Sequence, residues 1–321
     1  MPPPPPGVLA DYAEVPGNII SRLPIIALNG VLRAFLLPSS MSTLQAACDK
    51  VLNNPSGGAL TFMPALPLVL FTDLFVPRMT SGDPVDSQKG FVKEQDLGFW
   101  ILTIGGLTDA PLDWRLRWLP VYLWVDSGAA MAGGREVFGY PKHLGHFVRS
   151  GAGNSDVSVS SLHFQSFGPT IEGVEEVLVQ FTSGHVLQNV VGNKVDLDPI
   201  IASLFASFLG TGLPPPLNGL TSLIGDITLP YLGMPMVFLK QFRDAHALHK
   251  SCFTAVAKTV VSATALHQAG LLSGTGQIVL TPSASHPIAG DLGLSAVSSV
   301  GDGVFVKLDF SVGPGETIWQ A

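Results

Sequence analysis

The sequence predicts a mainly β protein of the α+β type: one closed or nearly closed antiparallel sheet, a barrel or cone, with a few short helices. Three observations lead there. Apolar runs with β-branched and aromatic alternation recur along the chain, while few stretches keep helical spacing. These runs are uneven in length and show no internal repeat, which favours one irregular closed sheet over a solenoid or a doubly wound layer. Charged residues make up 13% and hydrophobic residues 46% of the 321 positions, against about 25% charged in an average domain. So few charges imply a large core and further burial between subunits.

Residues 1–17 are expected to form a Pro-rich tail, with Pro2 to Pro6 in polyproline II conformation, and residues 18–321 a single domain. Ile25 to Leu28 and Val31 to Leu37 read as two strands separated by a turn at Asn29-Gly30. Ser42 is expected to cap a helix reaching about Asn53, with Leu44, Ala47, Cys48 and Val51 on one face. Leu60 to Val76 and Phe91 to Gly105 read as strands around a polar loop, and Leu107 to Trp118 as a connection. Later strands are expected at 157–167, 174–182, 236–242, 254–265, 275–280 and 304–312, with a helix from Asp198 to Phe208 and a linker at Leu213–Leu217.

The stretch from Asp126 to Gly145 is the most informative. It follows Leu119 to Val125, an apolar run that reads as a buried strand. Ser127 can cap a short helix over Ala129 to Phe138. Gly139 suits the left-handed position after the last turn, and Pro141 prevents continuation. Lys142 is therefore held at a stiff helix end, where most lysines would be free in solvent.

Gly134-Arg-Glu-Val-Phe-Gly-Tyr-Pro-Lys142 resembles the signature of the acetoacetate decarboxylase family: Gly-Arg-Glu, two variable residues, Gly, an aromatic, then Pro-Lys-Lys. Weaker similarities flank it: Pro67 to Phe71, Lys93-Glu94 before an apolar strand, Pro235 to Asp244, and Gln277 to Asp309. The resemblance covers roughly residues 20–315. It implies that family's fold, a Schiff base between Lys142 and a β-keto acid, and no diffusible cofactor or metal. It implies a role in proton transfer for Glu94 and an assembly of identical subunits. Two positions depart from the pattern. His143 stands where the second lysine is usual, and Thr72 where an acid is usual, with Asp73 the nearest carboxylate.

A free lysine has a pKa of about 10.4, so activation requires burial or a neighbouring cation. A lysine activated by such means is the one known from acetoacetate decarboxylase. Here the cation would have to be His143 or Arg135, with desolvation by Tyr140, Phe138, Phe147 and Trp124 contributing. The pair Arg135–Glu136 reads equally well as a brace of the turn and as a substrate contact. A Schiff-base decarboxylase of a β-keto acid, acetoacetate-like or larger, is thus the leading expectation. A Schiff-base aldolase or dehydratase on pyruvate-like acids, or a non-catalytic barrel for an apolar ligand, stand beside it.

Other classes are disfavoured. The net charge of −7 argues against nucleic acid. The longest apolar stretch, Ala59 to Phe71, is broken by Pro64 and Pro67 and is shorter than the roughly 20 residues a membrane helix needs. His143/His146 and His246/His249 have ligand-like spacing but no third ligand, so no metal is expected. Two cysteines and the lack of a signal-like N-terminus suggest the cytoplasm.

Overall fold

Every strand of the main sheet turns alternate side chains to opposite faces, and here both faces are apolar. The computed structural model describes residues 12–13, 19–191 and 233–321. The expected proline tail, the helix Asp198–Phe208 and the linker Leu213–Leu217 lie outside the described residues. In chain order the strands begin with β1 (Ile25–Pro38), β2 (Leu60–Ser81), β3 (Val92–Leu107), β4 (Arg115–Val125) and β5 (Lys142–Leu144). A second group is β6 (His146–Ser150), β7 (Asp156–His163), β8 (Val174–Ser183) and β9 (Val186–Val191). The last are β10 (Gly233–Arg243), β11 (Ser251–Ser273), β12 (Gly276–Leu280), β13 (Val297–Val300), β14 (Gly303–Val312) and β15 (Glu316–Gln320). The short helices are α1 (Met41–Cys48), α2 (Gly128–Gly133) and α3 (Ile288–Leu292).

The main sheet runs β10-β11-β14-β1-β2-β3-β4-β5, and a β10–β4 pairing closes seven of its strands into a ring. Closure rests on one parallel bridge, Met236 opposite Trp118. One buried cluster draws residues from all seven ring strands, among them Leu36, Leu66, Trp100, Leu123, Met236, Phe238, Ala269 and Val306. It is the ring's inner filling. The opposite face, with Phe35, Phe71, Phe99 and Trp124, packs on a second sheet, β13-β12-β8-β7-β6, through Val159, Phe181 and Ile278.

The structure corrects several local expectations. Asn29-Gly30 is a bulge within one continuous β1, with Asn29 at φ 56°, because both flanking segments keep pairing with β14. The cap of α1 is Ser40, whose hydroxyl accepts the Thr43 N–H, and beyond Cys48 the helix widens into a π turn over Asp49–Asn53. The last third of the expected Leu107–Trp118 connection is strand, since β4 starts at Arg115. The single sheet is in fact two. The second is built of short strands with exposed outer positions, such as Leu162 and Val174, whose pattern is weak in sequence.

Candidate active site

The turn bearing Lys142 is clamped before its chemistry begins. Ser127 accepts the Ala130 N–H and starts α2, which continues as a π turn over Gly134–Phe138. Gly139 closes it at φ 90° and lies so close to β10 that a Cβ there would fall 2.5 Å from the Leu239 carbonyl oxygen. From β10, Lys240 donates to the Val137 carbonyl. Lys142 then enters β5, paired in parallel with Leu123 of β4. The sequence reading ended the turn at Lys142; the structure makes it the first residue of a strand.

That register decides where the side chains go. Lys142 points to the ring interior with Leu123, and its neighbour His143 points to the other face with Trp124. Lys142 is 9% exposed and Glu94 2%. The Lys142 Nζ donates to Glu94 Oε1 at 2.6 Å and sits 5.5 Å from the centre of the Tyr140 ring. Gly134 forms the floor under the lysine stem: a Cβ there would stand 2.7 Å from Lys142 Cδ. A Gly134→Ala variant is expected to shift the amine and lower turnover by about 10²-fold, the usual cost of an ångström-scale misplacement. Unchanged turnover in the folded variant would show that the stem has slack.

Asp96 lies two positions after Glu94 on the same face of β3. Its Oδ1 is shut away from solvent with no hydrogen-bond partner. Burial first, then the Glu94 charge, push the Asp96 carboxyl well above its ordinary value, against the pull of Lys142. For Lys142, burial lowers the pKa, but Glu94 and Asp96 outweigh it and the net direction is up. The resting lysine is an ammonium paired with Glu94. Burial does act in the lowering direction expected from the sequence, but the two carboxyls of β3 outweigh it.

The neutral Asp96 has a stability cost whose sign can be followed. The folded chain keeps a proton that an unfolded Asp releases above pH about 4. Stability therefore falls as pH rises above that point. An Asp96→Asn variant is expected to be more stable than the wild type at pH 7, with the gain vanishing towards pH 3, read from urea midpoints at both pH values.

The remaining expected site residues are dispersed. His143 contacts Trp124 and His286, with ring centres 6.0 and 4.9 Å away. Burial, then His286 and Arg135, lower its pKa to about 4. It is neutral at pH 7 and turned away, so it is corrected as a candidate second cation. Arg135 is exposed, and its Nη1 donates to the Lys142 carbonyl at 3.3 Å. Glu136 accepts from the Tyr12 hydroxyl at 3.2 Å. Tyr140, kept protonated by burial and the two nearby carboxyls, bonds Met236 Sδ and packs 4.1 Å from the Phe238 ring. Thr72 does reach the inner face, where it accepts the Trp100 Nε1–H at 2.8 Å.

Asp73, by strand alternation, faces outward and binds Arg33 and Arg149, so it does not replace the acid absent at Thr72. Asp96 is the acid that the sequence reading missed. The signal was present, since Glu94-x-Asp96 in a strand puts both carboxyls on one face. Arg135, Glu136, Tyr140, Pro141 and His143 also line an open groove of about 970 Å³ at the β4–β10 seam. Lys142, Glu94 and Asp96 are not on its walls. The buried amine and its two carboxyls thus form a cluster of their own, apart from that groove. Among the described residues no three His, Cys, Asp or Glu side chains gather to hold a metal ion, and no helix is long and apolar enough to cross a membrane.

This ring, with its second sheet and buried lysine turn, is the acetoacetate decarboxylase-like fold. Acetoacetate decarboxylase from Legionella pneumophila subsp. pneumophila str. Philadelphia 1 superposes with a TM-score of 0.59 at 15% identity, over 98% of this chain and 99% of that one. An acetoacetate decarboxylase-like enzyme from Sphingomonas wittichii RW1 gives 0.54 at 15%, over 96% and 98%. The enduracididine biosynthesis enzyme MppR, complexed with pyruvate, gives 0.53 at 14%, over 95% and 93%. No protein-family model matches the chain, and no curated protein matches it.

Proposed function

We propose that the protein is an enzyme that decarboxylates a β-keto acid through a Schiff base on Lys142. The observation that carries this reading is the buried Lys142 amine, on a clamped turn, with its proton acceptor Glu94 at 2.6 Å. Glu94 takes one proton from the ammonium, leaving a neutral amine that attacks the substrate ketone. The adduct nitrogen gives a second proton to the oxygen, the first returns to it through Glu94, and water leaves. The iminium then draws the electrons of the β-carboxylate bond, CO₂ departs, and a neutral enamine remains. Protonation at carbon and addition of water release the ketone and restore the ammonium. Lys142 is the nucleophile, Glu94 the proton shuttle, and Tyr140 the wall over the amine. Arg135 braces the turn through the Lys142 carbonyl. The route uses no metal and no diffusible cofactor.

A second reading, an aldolase or dehydratase on pyruvate-like acids, shares the iminium. It is favoured by the likeness to MppR with pyruvate. Borohydride reduction with 3-oxo acids or pyruvate, followed by peptide mass analysis, tests both: an adduct on Lys142 is expected, and none with any keto acid sinks both. CO₂ release against carbon–carbon bond formation divides them. In Glu94→Gln, the pH profile of chemical labelling at Lys142 is expected to move to lower pH, because the charge that raises the amine pKa is gone. An unmoved profile would detach Glu94 from the lysine's charge.

We also propose self-association and residence in the cytoplasm. Exposed apolar side chains such as Phe167, Leu162 and Val174 support the first, and the unpaired Cys48 and Cys252 the second. Light scattering of the purified chain tests the first; a monomer at micromolar concentration overturns it.

A further inference from the structure

We infer that Asp96 is the acid that protonates the enamine carbon, with Glu94 reserved for the nitrogen and oxygen steps. The inference rests on the Schiff-base reading and assigns a residue to the one step that reading leaves without a donor.

The inner face of β2 and β3 carries Thr72, Glu94 and Asp96 as its polar side chains near the amine-bearing turn, opposite Gly98, Val76 and Leu74 in the register Thr72↔Gly98, Leu74↔Asp96 and Val76↔Glu94. Thr72 is occupied by the Trp100 indole, and Gly98 has no side chain. Glu94 is engaged by the Lys142 ammonium. Asp96 alone has a polar atom, Oδ1, buried and unpartnered. One cation thus faces two carboxyls in a water-poor site. Glu94 and Asp96 lie two positions apart on one strand face, near enough to share a hydrogen bond, and like charges so placed do not both ionise, so one carboxyl keeps its proton. Lys142 binds Glu94, which leaves Asp96 as the neutral member, and its raised pKa agrees. Of the other O–H groups nearby, Tyr140 is spent on the Met236 sulfur and Thr72 points its hydroxyl at the Gly98 carbonyl.

The step balances. The enamine carbon takes the Asp96 proton together with the enamine π electrons, giving the product iminium and the Asp96 carboxylate. Water then adds to the iminium, the ketone leaves, and Lys142 regains its ammonium form. Asp96 recovers a proton from solvent, which is the one proton that decarboxylation of a carboxylate consumes. Glu94 ends as it began.

The test compares wild type and Asp96→Asn with 3-oxo acids of four to eight carbons, reading CO₂ and ketone separately in single turnovers, with borohydride trapping alongside. In the variant, adduct formation at Lys142 is expected within a few-fold of wild type. One CO₂ per site is expected in a burst, with ketone following about 10²- to 10⁴-fold more slowly, the usual worth of a positioned acid. CO₂ and ketone appearing together at near wild-type rate, with the adduct intact, overturn the role of Asp96 and leave the Schiff base standing. No adduct in the wild type overturns the Schiff-base reading, and this role with it. A variant that forms the adduct but releases no CO₂ also overturns it, because Asp96 would then act before the enamine.

Discussion

If Lys142 is the proposed Schiff-base nucleophile, a Lys142→Met protein is expected to fold and to lose at least about 10⁴-fold in keto-acid turnover, since the covalent route supplies most of the acceleration. Methionine keeps the length and apolar stem that Gly134 supports. What disappears is the amine at 2.6 Å from Glu94. Borohydride trapping should fall to zero in the same sample. The loss should also change acid stability. Without the ammonium, the Glu94 charge is buried beside Asp96 with no cation opposite it, so the variant should gain stability relative to wild type as pH falls. Turnover above about one hundredth of wild type would mean that another group acts as the nucleophile. A dead variant with unchanged pH dependence of stability would mean that the ion pair contributes little to the fold.

Asp73→Ala is expected to cost about 3–5 kcal/mol, the range for removing one partner of a buried ion pair. Asp73 is 2% exposed and accepts from Arg33 Nε at 2.8 Å and from Arg149 Nη2 at 2.7 Å. Arg33 belongs to the ring and also donates to the Ser155 carbonyl. Arg149 belongs to β6 of the second sheet and reaches Gln95 Oε1 at 2.7 Å. One carboxylate therefore ties the two sheets, and its removal leaves two guanidiniums facing each other in a half-dry seam. The urea midpoint should drop with the slope unchanged. A loss under about 1 kcal/mol would class the cluster with solvated surface pairs. Because Asp73 and Glu94 face opposite sides of the ring, the lysine chemistry should survive wherever the variant remains folded.

Much of the lysine turn was legible because its signals are local. Ser127, Gly139 and Pro141 each act within a few residues of themselves, and a glycine at φ 90° against β10 is what the chain needs there. The strands were legible as apolar runs, but their number of sheets was not, since pairing partners lie far apart in sequence. Alternation carried more than the linear reading took from it. It sends His143 away from Lys142 and Asp73 away from Thr72, and it sets Asp96 beside Glu94. Those placements follow from counting in twos along strands, once the strands are known. The net charge state of Lys142 could not be read at all, because it depends on two carboxyls brought from β3.

The Lys142–Glu94 pair has one more consequence, in the currency of charge conservation. A protonated imine at Lys142 carries the same single positive charge, at nearly the same point, as the ammonium it replaces. On the proposed Schiff-base route the surrounding dipoles and carboxyls need not rearrange on covalent attachment, so the empty protein is already polarised for that form. The neutral enamine breaks this match, leaving the Glu94 carboxylate without its cation. A cavity wired in this way stores its bias against the enamine and discharges it as the cation is restored.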